Sequence, residues 1–171
     1  QGVIILMNNN STPDNDKIKI LLAAFKASLE QTFETMVFMQ ALCAEPQVKH
    51  DHFPSGAVSG TIGVTGEHFQ GRLSLIFTQA IAERAFRSMM MMGAEDPVNE
   101  SELKDAIGEL ANMTAGGAKA QLQQQGYDFV ISLPTVVMGL NHHLESPKGC
   151  ETLVLPVNID NDVFHMEVAI V

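Results

Sequence analysis

The segment from Asn99 to Gly126 constrains the fold more than any other part of this chain. Apolar residues recur in it at steps of mostly three and four, which is the period of a helix with one buried side. Asn99 with Glu102 resembles a capping box at the start, and Gly126 is a typical helix stop. The segment therefore predicts a long amphipathic helix. Its predicted buried row consists of Ile107, Leu110, Ala111, Thr114, Ala118 and Leu122.

The remaining chain alternates between helical and strand patterns. Residues 17–43 repeat apolar side chains at helical spacing up to Glu45-Pro46, and residues 79–92 predict a shorter helix. The predicted fold class is α/β of the α+β type, with long helices packed on one face of a largely antiparallel sheet. β-Branched and alternating segments predict its strands at residues 57–64, 71–78, 129–133, 151–158 and 163–171.

Length and apolar content predict one domain. A chain of 171 residues can bury enough surface to be stable without staples, and 46% of its residues are hydrophobic. We expect residues 17–171 to form that single domain and residues 1–16 to be a flexible leader. Met7 is a candidate natural start, in which case residues 1–6 would be foreign to the native protein.

Charge and cysteine content narrow the class of partner and the compartment. The net charge of −10 disfavours nucleic acids and anionic membranes as partners, because their phosphates would repel the surface. A partner with a basic patch or a metal site of its own fits better, although acidity can also serve solubility alone. Cys43 and Cys150 predict reduced thiols, and no run reaches the ~18 apolar residues that a membrane span requires. We therefore expect a cytoplasmic protein.

The exposed side of the long predicted helix carries a second series of residues. Asp105, Glu109, Asn112 and Gly116 are spaced four, three and four, so they lie within about one quadrant of the helix. A solvated face is the simplest interpretation, but Asn forms helix interiors poorly. Each glycine of Gly116-Gly117 also costs roughly 1 kcal/mol relative to Ala. Close packing within the chain would explain both glycines without any functional role. Alternatively, Gly116 would let the backbone of another molecule come close.

A pattern of four residues with a long fixed gap, D-x3-E-x2-N-x21-P, is formed by Asp105, Glu109, Asn112 and Pro134. This pattern resembles the signature of the CheC, CheX and FliY chemotaxis phosphatases. The run AIGELANMTAG at residues 106–116 is similar to CheX, as is the run PTVV that begins at Pro134. The resemblance extends more weakly over most of residues 57–171.

The resemblance implies a phosphatase that dephosphorylates the aspartyl phosphate of a CheY-like response regulator. It implies two catalytic residues: Asn112 would position the in-line water, and Glu109 would dock against a lysine of the receiver domain. Asp105, Gly116 and Pro134 would support the site, with Asp105 adding negative field and Pro134 ending a strand under the helix. No cofactor would be bound by this chain, since the partner receiver domain would supply the Mg²⁺.

The first predicted helix carries Glu30-Gln31-Thr32-Phe33 at the place where CheC-type members have a second E-x2-N, and Phe33 belongs to its apolar row. The resemblance therefore implies one site per chain and a homodimer as the functional unit, with residues 163–171 offering a sheet edge for pairing. The alternatives are a non-catalytic CheC-fold binding module or a flagellar-switch-like scaffold. A phosphatase for a response regulator outside chemotaxis also remains open.

Two histidine pairs, His50 with His52 and His142 with His143, raise the question of a metal site. Zinc ligation requires three or four convergent groups, and neither pair has a matching second cluster at ligand spacing. Surface histidines are the better interpretation. The sequence thus predicts no metal site in this chain.

Overall fold

The computed structural model of the protein describes residues 13–170, and it forms three α-helices in that part of the chain. They are α1 (Pro13–Thr32), α2 (Gln79–Met89) and α3 (Glu100–Gln123). None of the helices within residues 13–170 is long and apolar enough to cross a membrane. Most of the predicted leader lies outside the described residues, and α1 begins earlier than the predicted start at residue 17.

The strands in the described part of the chain form one antiparallel sheet. The strands are β1 (Ala41–Cys43), β2 (Gln47–Val48), β3 (Gly56–Gly66), β4 (Gln70–Phe77), β5 (Phe129–Ile131), β6 (Thr135–His142), β7 (Glu151–Ile159) and β8 (Asp162–Ile170). Their order in the sheet is β1-β7-β8-β4-β3-β5, with β2 also paired to β7 and β6 also paired to β3. The predicted architecture of helices on a largely antiparallel sheet is confirmed.

Three stacked phenylalanines join the end of the first helical region to the sheet. Phe33 lies in the π-helical segment Phe33–Val37 that follows α1, Phe77 in β4 and Phe164 in β8. The ring centroids of Phe77 and Phe164 are 4.6 Å apart, and those of Phe33 and Phe164 are 5.0 Å apart. All three side chains are fully buried. The prediction that Phe33 belongs to the apolar row is therefore confirmed.

The first helix is shorter than predicted. The prediction carried it through residue 43, but Phe38 has a φ of 57° and its left-handed conformation ends the helical region. Ala41–Cys43 instead pairs with β7, and its side chains alternate between buried, exposed and buried. Three residues are too few for a strand period to stand out after a helical pattern, so pairing with a distant strand decides the conformation.

Strand β6 was not predicted. Its irregular second half explains why, since Asn141 has a φ of 56° and Leu140 is 80% exposed. The pairing with β3 also shifts register between Gly56 and Val58. A strand that does not alternate regularly between buried and exposed side chains leaves no period-2 signal in the sequence.

The predicted sheet edge at residues 163–171 is wrong. Strand β8 pairs with β4 on one side and with β7 on the other, so its backbone groups are used within the sheet. Most of its residues are buried, as expected for an internal strand. Residue 171 lies outside the described residues. Within the described part of the chain, the outer strands are β5 and β6 at one edge and β1 and β2 at the other.

Both cysteines are free thiols, as predicted. Cys43 is buried in β1, and burial raises its pKa to about 12, with the nearby Glu30 carboxylate acting in the same direction. Glu30 also accepts a hydrogen bond from the Cys43 amide at 2.9 Å. A thiol with such a raised pKa stays protonated at neutral pH and is a poor nucleophile.

Candidate active site

Helix α3 forms where predicted because both of its ends are capped. Asn99 is extended, and its Oδ1 accepts a hydrogen bond from the Glu102 amide at 3.1 Å. Acidic side chains in the first turn favour the positive end of the helix dipole. At the other end Gly126 has a φ of 86°, and the Tyr127 amide donates to the Leu122 carbonyl oxygen at 3.0 Å. These contacts fix the length of the helix that carries the predicted site.

Packing against β3 and α1 fixes which side of α3 faces solvent. The helix lies so close to β3 that a Cβ on Gly60 would be 2.9 Å from the Ile107 carbonyl oxygen and 3.2 Å from the Ala111 Cβ. On the neighbouring flank, the Ser28 hydroxyl of α1 donates to the Thr114 carbonyl oxygen at 2.7 Å. All six residues of the predicted buried row are buried. The prediction of that row is confirmed, and α3 cannot rotate without breaking both contacts.

The opposite side of α3 presents the predicted site residues together. Asp105 and Glu109 are exposed, while Asn112 and Gly116 are partly exposed. Within residues 13–170, no side-chain hydrogen bond or ion pair engages Asp105, Glu109 or Asn112. The helix thus holds a carboxylate and a carboxamide one turn apart, with their polar groups available to a partner.

The two adjacent glycines of α3 differ in their surroundings. A Cβ on Gly117 would overlap the Ser28 hydroxyl, so Gly117 is required for the packing of α1 on α3. A Cβ on Gly116 would meet nothing within 4 Å. Close packing within the chain therefore accounts for Gly117 and leaves Gly116 without a reason inside the fold.

Pro134 lies beside the same face but does not end a strand, which corrects the prediction. It is the last residue of the link between β5 and β6, so it precedes a strand. A Cβ on Gly108 would be 3.5 Å from the Pro134 Cγ and 3.3 Å from the Val136 Cγ2, so this link and the start of β6 pack on α3. A residue without an N–H fits a position before a strand, where the ladder needs no donor.

The residue before Pro134 is an exposed apolar side chain that the sequence pattern did not predict. Leu133 is 87% exposed, and Val130 on the preceding strand is 63% exposed. The sequence pattern placed both in one strand, but β5 ends at Ile131. Leu133 is therefore an exposed apolar side chain directly before Pro134, which itself packs against Gly108 of α3.

The predicted site lies on the outer side of a helix, away from the cavity at the start of that helix. A cavity of about 330 Å³ opens at the start of α3 and is lined by residues that include Glu100, Leu103 and Leu140. None of Asp105, Glu109, Asn112, Gly116 and Pro134 lines it. Small-molecule sites are usually concave, because a cavity buries most of the ligand. Side chains on the outer side of a helix are better suited to a macromolecular substrate that supplies the rest of the active site.

Comparison with known proteins gives consistent matches. The family model described as chemotaxis phosphatase CheX matches residues 58–158. The CheY-P phosphatase CheX of Thermotoga maritima is 31% identical over 127 residues, which cover 74% of this chain and 80% of that protein. The chemotaxis protein CheX of Desulfovibrio desulfuricans has a TM-score of 0.80 and 28% identity, covering 88% of this chain and 99% of that one.

A more distant structure shares the fold. CheX of Borrelia burgdorferi, solved in a complex with CheY, BeF3 and Mg²⁺, has a TM-score of 0.70 and 20% identity over 88% of this chain and 97% of that one. The sheet and its helices thus have the fold of the CheC-like proteins. Since the family model covers more than half of the chain, the chain belongs to the CheX family of chemotaxis phosphatases.

Proposed function

We propose that this chain hydrolyses the aspartyl phosphate of a CheY-like response regulator, with Asn112 positioning the attacking water and Glu109 docking against a lysine of the receiver domain. The class of activity, response-regulator phosphatase, comes with the family and with the name of the Thermotoga relative. The observation that supports the residue assignment is the side-by-side placement of Glu109 and Asn112 on the exposed face of α3, where both lack partners within residues 13–170.

The proposed reaction requires little covalent chemistry from this chain. Water adds to phosphorus in line with the aspartate oxygen, the bond between that oxygen and phosphorus breaks, and the products are inorganic phosphate and free aspartate. The transition state of phosphoryl transfer is loose, so positioning and charge stabilisation supply most of the catalysis. The Asn112 carbonyl oxygen accepts a hydrogen bond from the water, and its NH₂ group donates to a phosphoryl oxygen.

The other motif residues assist docking. Gly116 lies on the exposed face with open space around it, which lets the backbone of the receiver come close. Asp105 adds negative charge one turn before Glu109, and Pro134 supports α3 from below through its contact with Gly108. Each of these three residues acts on the approach of the receiver and none on the phosphoryl group.

The receiver supplies the metal in this proposal. The Borrelia relative forms a complex with CheY, BeF3 and Mg²⁺, which supports a receiver domain as the partner. We propose that Mg²⁺ is held beside the phosphoryl group by that partner and that this chain contributes no ligand to it. A carboxylate such as Glu109 suits a partner that presents a lysine beside its metal.

A non-catalytic binding module with the same fold is the second candidate. It would use the same exposed face of α3 and would bind a receiver without accelerating the loss of phosphate. The retained pair of Glu109 and Asn112 favours the enzyme, because a scaffold has no need of a water-positioning amide on the outer side of a helix.

The homodimer is also a proposal, and it needs an edge other than β8. Strand β6 pairs only with β3 among the strands of the described residues, and Leu140 and Val137 on it are exposed. This edge offers unpaired backbone groups to a second copy. Sedimentation at micromolar concentration should show a dimer, and a monomer throughout that range would contradict the proposal.

Single-turnover decay of a phosphorylated CheY-like receiver in Mg²⁺ tests the function, and titration with the beryllofluoride-activated receiver tests docking. The native chain should accelerate the decay. Glu109→Ala should weaken binding about 30-fold or more, because truncating one partner of a desolvated charge pair costs ~2 to 5 kcal/mol. Turnover should fall with it.

Glu95→Ala is the matched control, since it removes an exposed carboxylate in the loop between α2 and α3. It should leave binding and turnover unchanged. Decay at the intrinsic rate with every receiver tested would contradict the phosphatase proposal. Native-like binding and turnover by Glu109→Ala would instead remove that residue alone from the mechanism.

A further inference from the structure

Two loops at one end of the sheet bring three metal-binding side chains together. His52 lies between β2 and β3, and His143 and Glu145 lie between β6 and β7. One ligand atom from each residue lies within 4.8 Å of the others. The imidazole centroids are 4.2 Å apart, and the His143 Nε2 is 3.0 Å from the Glu145 Oε1. The sequence did not predict this cluster, because His52 and His143 belong to two histidine pairs that are far apart along the chain.

Two cationic side chains, the buried Lys49 and the partly buried Arg72, hold the second of these loops in place. The Lys49 ammonium donates to the Leu144 carbonyl oxygen, and the Arg72 guanidinium donates to the Glu145 carbonyl oxygen at 3.0 Å. Next along the chain, the His142 ring is within 2.6 Å of the Ser59 hydroxyl. The backbone that carries His143 and Glu145 is therefore fixed to the sheet, and only their side chains need to adjust to a ligand.

The first loop is anchored separately. The Phe53 ring stands edge-on to the ring of His165 on β8, with centroids 4.9 Å apart, and the Phe53 amide donates to the His50 carbonyl oxygen at 3.3 Å. His52 lies within this turn and is exposed. Anchoring on both sides reduces the entropy lost when the two loops are joined through a shared ligand.

The donor set selects a class of ion. Two imidazoles and one carboxylate suit Zn²⁺ and similar transition-metal ions, whereas Mg²⁺ and Ca²⁺ prefer oxygen ligands alone. Tetrahedral zinc with bonds of about 2.0 to 2.1 Å places its donors roughly 3.3 Å apart, so side-chain shifts of about 1 Å bring these three into range. Three protein ligands leave further positions to water.

The surrounding charges do not oppose a dication. Lys49 and Arg72 lie beneath the second loop, and both form ion pairs with the buried Glu167. Glu145 adds a second carboxylate, which is 82% exposed. Two cations thus lie near two carboxylates, and the two imidazoles supply the remaining ligands.

We propose that His52, His143 and Glu145 form a binding site for Zn²⁺ or a chemically similar divalent transition-metal ion, and that the ion ties the loop before β3 to the loop before β7. The site shares no residue with the exposed face of α3. Its role is structural, because an ion bound to the folded chain raises stability by mass action.

The chelator-treated protein should bind one Zn²⁺ per chain in equilibrium dialysis at about neutral pH. Co²⁺ as a probe should give visible absorption bands, and zinc should raise the melting temperature. His143→Ala and His52→Ala should each weaken zinc affinity by about 100-fold or more, because loss of an outer-shell partner alone costs 10- to 100-fold. Binding should also weaken as pH is lowered, because metal ligands must be deprotonated and protons compete with the ion.

His50→Ala is the matched control, since it removes an exposed histidine from the same turn without touching the cluster. It should bind zinc like the native chain. The proposal is overturned by the lack of saturable binding in the native protein. It is equally overturned by native affinity in His52→Ala or by an equal loss in His50→Ala; because both histidines are exposed, neither substitution disturbs the core.

Discussion

Glu109 and Glu167 are the same residue type in opposite surroundings. Glu109 stands exposed on α3 without a partner among residues 13–170, whereas the Glu167 side chain on β8 is only 1% exposed. The Glu167 Oε1 is 2.6 Å from the Lys49 ammonium, and its Oε2 is 3.6 Å from the Arg72 guanidinium. A charge that the fold buries is paired within the chain, and a charge left unpaired on an ordered helix is available to a partner.

The buried pair serves the fold. Burial raises the pKa of Glu167, while the hydrogen bond and charge of Lys49, and then the charge of Arg72, act to lower it. Lys49 also holds the Leu144 carbonyl oxygen, so it joins β8 to the loop before β7. Removing one partner of such a pair leaves a charge in a site that water cannot solvate.

The exposed pair costs the fold little, since water solvates Glu109 and Asn112 until a partner arrives. In the proposed function their desolvation would be deferred to docking, when a lysine and a phosphoryl group would replace the water. Variants at the buried Glu167 pair should therefore lose stability, whereas variants at Glu109 and Asn112 should lose activity.

The largest expected effect is on stability, from Lys49→Met. The variant keeps the length of the side chain and removes the closer of the two cations beside Glu167, so unfolding should become easier by about 3 to 5 kcal/mol. Denaturant unfolding monitored by circular dichroism measures it. The double variant with Glu167→Leu should recover much of the loss, because it removes the remaining buried charge. A double variant no more stable than Lys49→Met would contradict the ion-pair explanation.

The same variant should change the pH dependence of stability. Without Lys49, the pKa of Glu167 in the folded state should rise further above its unfolded value, because burial is then opposed only by the weaker effects of Arg72 and His143. A carboxyl with a raised folded pKa stabilises the fold at low pH and loses that contribution as pH rises through the folded pKa. The loss of folding stability caused by Lys49→Met should therefore be smaller at about pH 5 than at about pH 8.

The next effect is on turnover, from Asn112→Asp. The carboxylate can still accept from the water, but it loses the donor and places a negative charge against the phosphoryl group. Loss of one positioned polar contact at a transition state costs on the order of 10² to 10³ in rate. Single-turnover decay of a phosphorylated receiver should slow by that factor, with binding of the activated receiver reduced much less.

A thermal melt accompanies that assay. A solvated helix residue changes stability by within about 0.5 kcal/mol, so the melt of Asn112→Asp should match the native one. Asn158→Asp makes the same chemical change at an exposed position of β7 and should leave turnover intact. Native-like decay with folded Asn112→Asp would show that the amide is not catalytic and would favour the binding module.

The predictable parts of the fold are those with local signals. Helix α3 was predicted with its cap, its buried row and its polar face, because each is a pattern within a few turns. Strands β1 and β6 were not, since one is three residues long and the other is irregular after Gly139. The position of β8 inside the sheet depends on pairing with two other strands, which no local pattern contains.

In the candidate site, too, features with a local sequence signal were predictable and features that depend on distant contacts were not. Helical spacing alone places Glu109 and Asn112 on one face. It does not distinguish Gly116 from Gly117, because the difference is the Ser28 hydroxyl on another helix. The cluster of His52, His143 and Glu145 was missed for the same reason, since its ligands meet only when two distant loops fold together.

The smallest expected effect compares the two glycines. Gly117→Ala gains roughly 1 kcal/mol of helix propensity but displaces the Ser28 hydroxyl from the Thr114 carbonyl oxygen. Breaking a buried hydrogen bond costs about 1 to 3 kcal/mol, and the crowding between the helices adds to it. The variant should therefore be less stable by about 1 to 2 kcal/mol, and its binding of an activated receiver should stay close to native.

Gly116→Ala should do the reverse. Nothing lies within 4 Å of the added methyl group, so the variant should gain up to about 1 kcal/mol of stability from helix propensity. If the receiver backbone approaches this position, the methyl group should weaken binding of the beryllofluoride-activated receiver, and Gly117→Ala should not. The paired melts and titrations separate a glycine kept for the fold from one kept for a partner. Equal receiver affinity in Gly116→Ala and the native chain would show that the receiver does not contact this turn, and the docking surface would then be limited to the turns around Glu109 and Asn112.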